Sequence, residues 1–133
     1  WLADHLPTTT RIISYDRQPP ATTTHPNVDV RQADILAIPA EITACIAAPG
    51  RVLVLCDNGD KPAEFRAYSA HLKPGDVMMA HDLGFDEWPW YEISESDVEE
   101  TCQQLGLEPF HAPMMRTAAW LSRWRPWSDP PGS

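Results

Sequence analysis

Aspartate closes four separate apolar runs of this chain: Ile12-Ile13-Ser14-Tyr15-Asp16, Val28-Asp29-Val30-Arg31-Gln32-Ala33-Asp34, Val52-Leu53-Val54-Leu55-Cys56-Asp57 and Val77-Met78-Met79-Ala80-His81-Asp82. An ionised carboxylate accepts hydrogen bonds from hydroxyls and amines and ligates hard cations. Short aliphatic runs separated by helix-length segments read as strands of a parallel sheet flanked by helices. In such sheets the ligand sits just beyond the carboxyl ends of the strands. The four carboxylates are therefore expected along one rim, as a small-molecule site requires. Lys61 follows the turn Asp57-Asn58-Gly59-Asp60 and could act as a base toward a bound hydroxyl if burial or a nearby cation lowered its pKa. The alternative is a surface lysine. His81, beside Asp82, is the better base at neutral pH, because an unperturbed imidazole titrates at about 6.5. A hydrogen-bonded histidine at a strand end is the alternative there.

The elements that must hold these groups follow from punctuation and periodicity. Residues 1–6 fit the last turns of an amphipathic helix that Pro7 ends. Residues 10–15 and 28–33 read as strands, the second half-covered near a sheet edge, with a Pro- and Thr-rich loop over 18–26 between them. Pro39 opens a helix running to about residue 48, with Ile42 and Ile46 at i, i+4 spacing and Gly50 at its C-terminal cap. Residues 51–56 are expected to be a central strand buried on both faces. A helix follows over 62–72 with Phe65, Tyr68 and Leu72 on one stripe, then a buried strand over 77–80. Trp88, Trp90 and Tyr91 lie in a loop that either stacks on a planar acceptor or closes over the next helix. Residues 94–105 form a helix with Ser94 or Ser96 as N-cap and Gly106 at its end. Residues 107–112 and 117–124 look like a closing antiparallel pair, and 125–133 a frayed tail. The expectation is one α/β domain with a mainly parallel sheet.

Composition narrows the partners. The chain has 133 residues and a formal charge of −9, which disfavours a phosphate backbone that would need many Lys and Arg contacts. The Trp120, Trp124 and Trp127 series with Arg116, Arg123 and Arg125 is better explained by a strand with one buried face than by nucleic-acid binding. No apolar stretch approaches the roughly 20 residues that span a bilayer, and the first residues lack a signal-peptide pattern. The default location is cytoplasmic. Cys45, Cys56 and Cys102 form neither a disulfide framework nor a zinc motif, and Cys56 reads as a small core residue. All six glycines fall at or after Gly50. A nucleotide-binding α/β domain normally opens with a strand, a Gly-rich turn and a helix, and residues 1–49 cannot supply that turn.

The segments Leu53-Val54-Leu55-Cys56-Asp57-Asn58-Gly59-Asp60-Lys61, Glu64-Phe65 and Leu72-Lys73-Pro74-Gly75-Asp76-Val77-Met78-Met79-Ala80-His81-Asp82 resemble class I S-adenosylmethionine-dependent methyltransferases. Among these the chain is most similar to the cephalosporin-hydroxylase-like branch. The resemblance runs from about residue 10 to 125 and is sharpest over 52–82. It implies a Rossmann-like fold whose strands here are the second to the seventh of seven, with a C-terminal antiparallel hairpin. The family's first strand and Gly-rich cofactor loop would lie upstream of Trp1, so the expectation is an N-terminally truncated domain. The absent strand would be central, and its gap would have to be filled by a partner chain (a homo-oligomer is one option) or by rearrangement.

The resemblance also implies roles. S-adenosylmethionine would be the cofactor, and a small-molecule oxygen, or less readily a nitrogen, the methyl acceptor. Asp16 would accept from the ribose hydroxyls of the donor, or else only open the following turn. Asp34 would lie beside the adenine, or cap a turn near Ile35. Asp57 and Asp82 would end adjacent strands about 4.8 Å apart, where a divalent metal such as magnesium could bridge them. Relatives often supply a third ligand from an acidic residue before the second Asp or an amide after it. This chain has His81 and Leu83; only His81 can ligate, and imidazole favours transition metals. Alternatively, Asp57 and Asp82 cap turns and border the cofactor pocket. Two rival readings are a non-catalytic Rossmann-like module that binds a partner through its open sheet, and an α/β enzyme with another nucleotide cofactor.

Overall fold

A computed structural model describes residues 2–7, 9–18, 25–84 and 92–128. The chain divides into two compact units, residues 1–39 and 40–133. The first unit holds the short helix α1 (Leu2–His5) and two strands, β1 (Ile12–Asp16) and β2 (Val28–Gln32), paired in parallel with Asp16 opposite Gln32. Their carboxyl ends therefore point the same way. Part of the Pro- and Thr-rich loop between them lies outside the described residues.

Helix α2 (Pro39–Ala47) starts on its proline, whose fixed φ suits the first helical position, and buries Ile42 and Ile46 as their spacing predicts. The sheet of the second unit contains β3 (Leu53–Cys56), β4 (Val77–His81), β5 (Glu108–Pro109) and β6 (Trp120–Trp124), in the order β3-β4-β6-β5. β3 and β4 pair in parallel, and β6 runs antiparallel to both β4 and β5. Three of the four strands thus share one direction, which is the mixed α/β architecture expected. Helix α3 (Lys61–Ser69) makes the crossover from β3 to β4, and its Phe65 and Tyr68 are fully buried, as are Met78, Ala80 and Leu121 of the sheet. Burying each such aromatic contributes about 2–3 kcal/mol. Helix α4 (Glu95–Leu105) begins at Ser94, whose N–H donates to Asp97 Oδ2 at 2.8 Å, and stops at Gly106 with φ +67. A Cβ there would crowd the following carbonyl, which is why glycine suits the left-handed cap.

Three expectations are corrected. Among the described residues β3 is an edge strand and not a central one: it pairs there with β4 alone, and Leu53 and Leu55 are exposed at 52% and 40%. An all-apolar run predicts two covered faces, but coverage depends on neighbours that the run itself does not specify. The closing hairpin is interrupted, because residues 112–117 form a short helix, α5 (Ala112–Thr117), between a two-residue β5 and β6. Pro113 in its first turn costs no intrahelical hydrogen bond, and His111 enters it at φ +49. Arg125 does not fray. Its side chain donates to the Leu105 carbonyl at 3.1 Å and to that of Leu72, and its main chain bonds Gly75 and Asp76. Trp127 then lies over Gly75 and under the Arg51 guanidinium, 5.2 Å from the ring centre. The Trp88–Tyr91 loop and the last five residues of the tail lie outside the described residues.

Candidate functional site

At the carboxyl ends of β3 and β4, parallel pairing aligns Cys56 with Ala80, so Asp57 and the pair His81-Asp82 emerge side by side. One donor atom from each of Asp57, His81 and Asp82 falls within 4.8 Å of the others. The residue at the centre of the cluster is Lys61. Its side chain is 1% exposed, and its Nζ lies 2.9 Å from Asp82 Oδ2 and 3.4 Å from Asp57 Oδ1. It also donates to Glu92 Oε2. Glu92 arrives from beyond the aromatic loop, held by a bridge between Leu83 and Ile93 and by its own N–H to the Asp82 carbonyl at 3.1 Å.

The position of Lys61 is electrostatically unfavourable on local grounds. Asp60 is the N-cap of α3, its side chain accepting from the Ala63 N–H at 3.1 Å, so Lys61 is the first helical residue. A cation at that end opposes the helix dipole by about 0.3–1 kcal/mol. The three carboxylates offset this. Burial alone would lower the Lys61 pKa, but the hydrogen bonds to Glu92 and Asp82 outweigh it and hold the ammonium above its ordinary value. A lysine so held stays protonated at neutral pH, the form that donates a proton rather than accepting one. Reciprocally, the Lys61 hydrogen bond keeps the Asp82 carboxyl below its ordinary value. Asp82 adopts φ +61, a left-handed conformation that costs a β-carbon residue on the order of 1 kcal/mol and that surrounding contacts must maintain. The Leu83 N–H to the Ala119 carbonyl, at 2.9 Å, is one of them. His81 Nδ1 lies 3.2 Å from Asp82 Oδ1, and its ring packs at 4.7 Å against Trp120, its partner across β4 and β6.

Lys61 Nζ stands among the groups that could otherwise share a divalent metal. The oxygens of Asp57 and Asp82 that point inward already face the ammonium, and the other Asp82 oxygen faces His81. An ion at these oxygens would meet the Lys61 ammonium as well as the carboxylates, and that repulsion weakens its hold on them.

Beneath the rim, Glu64 is 4% exposed and accepts from the Asn58 N–H at 3.3 Å. Desolvation pushes its carboxyl up to about 7, with the backbone bond to Asn58 opposing the shift. The native state therefore keeps this proton to higher pH than the unfolded chain, whose value is near 4.5, and stability from this group falls as pH rises from about 4.5 to about 7. Glu64→Gln is expected to gain on the wild type by about 2–3 kcal/mol at pH ~8 and by little at pH ~5, read from urea midpoints. Equal gains at both pH values would contradict this. Burial likewise drives the Cys56 thiol well above its ordinary value, as an inert core residue requires.

Asp16 and Asp34 stand at the corresponding end of β1 and β2. Asp16 Oδ1 accepts from the Gln18 N–H at 2.8 Å, and Asp34 accepts from the Leu36 N–H at 3.0 Å and from Arg17 Nη2 at 2.9 Å. Both therefore do make the local turn contacts foreseen as alternatives. Asp16 remains exposed, with carboxylate lone pairs to spare. Neither of two clefts, about 350 Å³ at Thr10 and Asn27 and about 280 Å³ at Leu53, Val77 and Trp124, includes a carboxylate of the Lys61 cluster. The first lies at the amino ends of β1 and β2, and the second at the amino ends of β3 and β4 beside the carboxyl end of β6, away from the rim that carries the cluster. Of the site residues, sequence reasoning missed Glu92 and the burial of Lys61 and Glu64. Comparisons with protein-family models, curated proteins and solved structures give no match.

Proposed function

We propose that this chain carries the acceptor end of an S-adenosylmethionine-dependent methyltransferase acting on an oxygen, or less readily a nitrogen, of a small molecule. The observation that carries the reading is the convergence of Asp57 and Asp82, from adjacent parallel strands, onto one buried lysine. Three carboxylates around one ammonium leave the rim with a surplus of negative charge, which favours a cationic sulfonium donor. Transfer is an in-line displacement: an acceptor lone pair attacks the methyl carbon, the carbon–sulfur pair returns to sulfur, and the acceptor proton leaves to a base. Alignment of donor and acceptor is the main requirement. With Lys61 locked as a cation, His81 is the group assigned to the proton. Asp57 is assigned to the border of the donor. The antiparallel β6 set between β4 and β5 supports the same reading.

The test is calorimetric titration of S-adenosylhomocysteine into the protein expressed from its whole open reading frame. Micromolar binding that Asp57→Asn weakens about tenfold supports the reading; absence of binding to the wild type contradicts it. The exposed edge of β3, with Leu53 and Leu55 uncovered, favours a second reading as a module that accepts a strand from a partner. No binding of the donor product, together with a partner-dependent loss of amide exchange along β3, would select that reading.

A further inference from the structure

We propose that Lys61 is the permanent cation of this rim, its ammonium holding the place among Asp57, Asp82 and Glu92 that a divalent metal would otherwise take. Asp57, His81 and Asp82 bring their donor atoms within 4.8 Å of one another, a spacing at which an ion could be shared. What opposes an ion at that spot is the ammonium already standing between the carboxylates. Lys61 directs its N–H groups at three carboxylates, at 2.9 Å to Asp82, at 3.4 Å to Asp57 and in hydrogen-bond contact with Glu92. Its side chain is 1% exposed, so the ammonium meets carboxylates where a surface lysine would meet water. It sits at the positive end of α3, where a lysine gains nothing locally, so its stabilisation comes from the carboxylates. Asp82, held at φ +61, turns one oxygen to Lys61 and the other to His81. A lysine here does statically what a bound ion does in metal-assisted sites: it keeps neighbouring carboxylates together without their protonation. It follows that the native rim works without metal, and that neutralising residue 61 opens a latent metal site made of Asp57, His81 and Asp82.

The inference does not depend on methyl transfer, and its test uses no methyl donor, so its failure and the failure of the proposed function are separable. The probe is Mn²⁺, titrated by electron paramagnetic resonance and by paramagnetic broadening of amide signals in the wild type, Lys61→Met and Lys61→Met/Asp82→Asn. The expected result is Mn²⁺ binding at least about tenfold tighter in Lys61→Met than in the wild type, lost again in the double variant, with broadening centred on residues 57 and 81–82. Equal affinity in wild type and Lys61→Met overturns the inference, as does tight binding that survives Asp82→Asn. Should Lys61→Met fail to fold, Lys61→Gln replaces it. The wild type is decisive by itself in one direction: micromolar Mn²⁺ that broadens His81 and Asp82 selectively shows that ion and ammonium share the rim, and overturns the proposal.

Discussion

Asp76→Ala is expected to lower the unfolding free energy by about 3 kcal/mol, since it leaves two main-chain N–H donors without their acceptor. Asp76 is fully buried. Its Oδ1 accepts from the Val52 N–H at 2.8 Å, and its Oδ2 from the Lys73 N–H at 2.8 Å and from Lys73 Nζ at 2.9 Å. Through these bonds one side chain ties the entrance of β3 to the turn that starts β4, and so fixes the register that later brings Asp57 beside Asp82. The Asp76 carbonyl meanwhile accepts from the Arg125 N–H at 3.1 Å, which docks the chain after β6. Asp76→Asn is expected to fare no better than Asp76→Ala, because an amide turns donors toward donors on one side. Urea unfolding of both variants checks the prediction; a loss below about 1 kcal/mol in both would mean that water replaces the carboxylate without penalty.

Lys61→Met is the second large effect. The thioether fills the volume of the lysine stem, so packing is retained and the loss isolates the charge. Asp57, Asp82 and Glu92 are then left facing one another without a cation, and the thermal midpoint at neutral pH is expected to fall by several degrees. The three partners keep much of their surface in water, at 79%, 43% and 53% exposure, so the loss stays below that of a fully buried ion pair. The pH dependence has a definite sign. Asp82 is held below its ordinary value of 3.8, so its share of stability is present above that pH and disappears as pH falls through the lowered folded value. Lys61 is held above 10.5, so its share is present below that pH and is lost as pH rises through the raised folded value. The gap between wild type and variant should therefore be widest between these limits and close toward acid. A gap that is constant from acid to neutral pH would assign the loss to packing.

The aspartates that end β3 and β4 were legible because strand, turn and charge coincide in one local pattern. Helices α2, α3 and α4 were legible for a similar reason: Pro39, the Phe65–Tyr68 stripe and the Ser94 to Gly106 span each carry start, face or stop signals inside the element. What failed was long-range. Val52 to Cys56 is apolar throughout, yet whether its outer face is covered depends on a neighbouring strand. Ala112 to Thr117 carries its apolar residues over too short a span for a helical period to separate from alternation. Lys61 reads as a surface residue because nothing around it in sequence announces the Glu92 that reaches it from 31 residues away. Glu64, within the first turn of α3, reads as an ordinary dipole-favoured acid until the fold removes its water.

The charge state of Lys61 is the quantity on which the candidate site most directly depends. Followed by the ¹³Cε and ¹⁵Nζ shifts of labelled lysine, Lys61 should remain protonated beyond the ordinary lysine value of about 10.4, and Asp82→Asn should bring its titration down. An Nζ that titrates at or below the ordinary value, unmoved by Asp82→Asn, would show that the ammonium and the carboxylates of β3 and β4 do not meet.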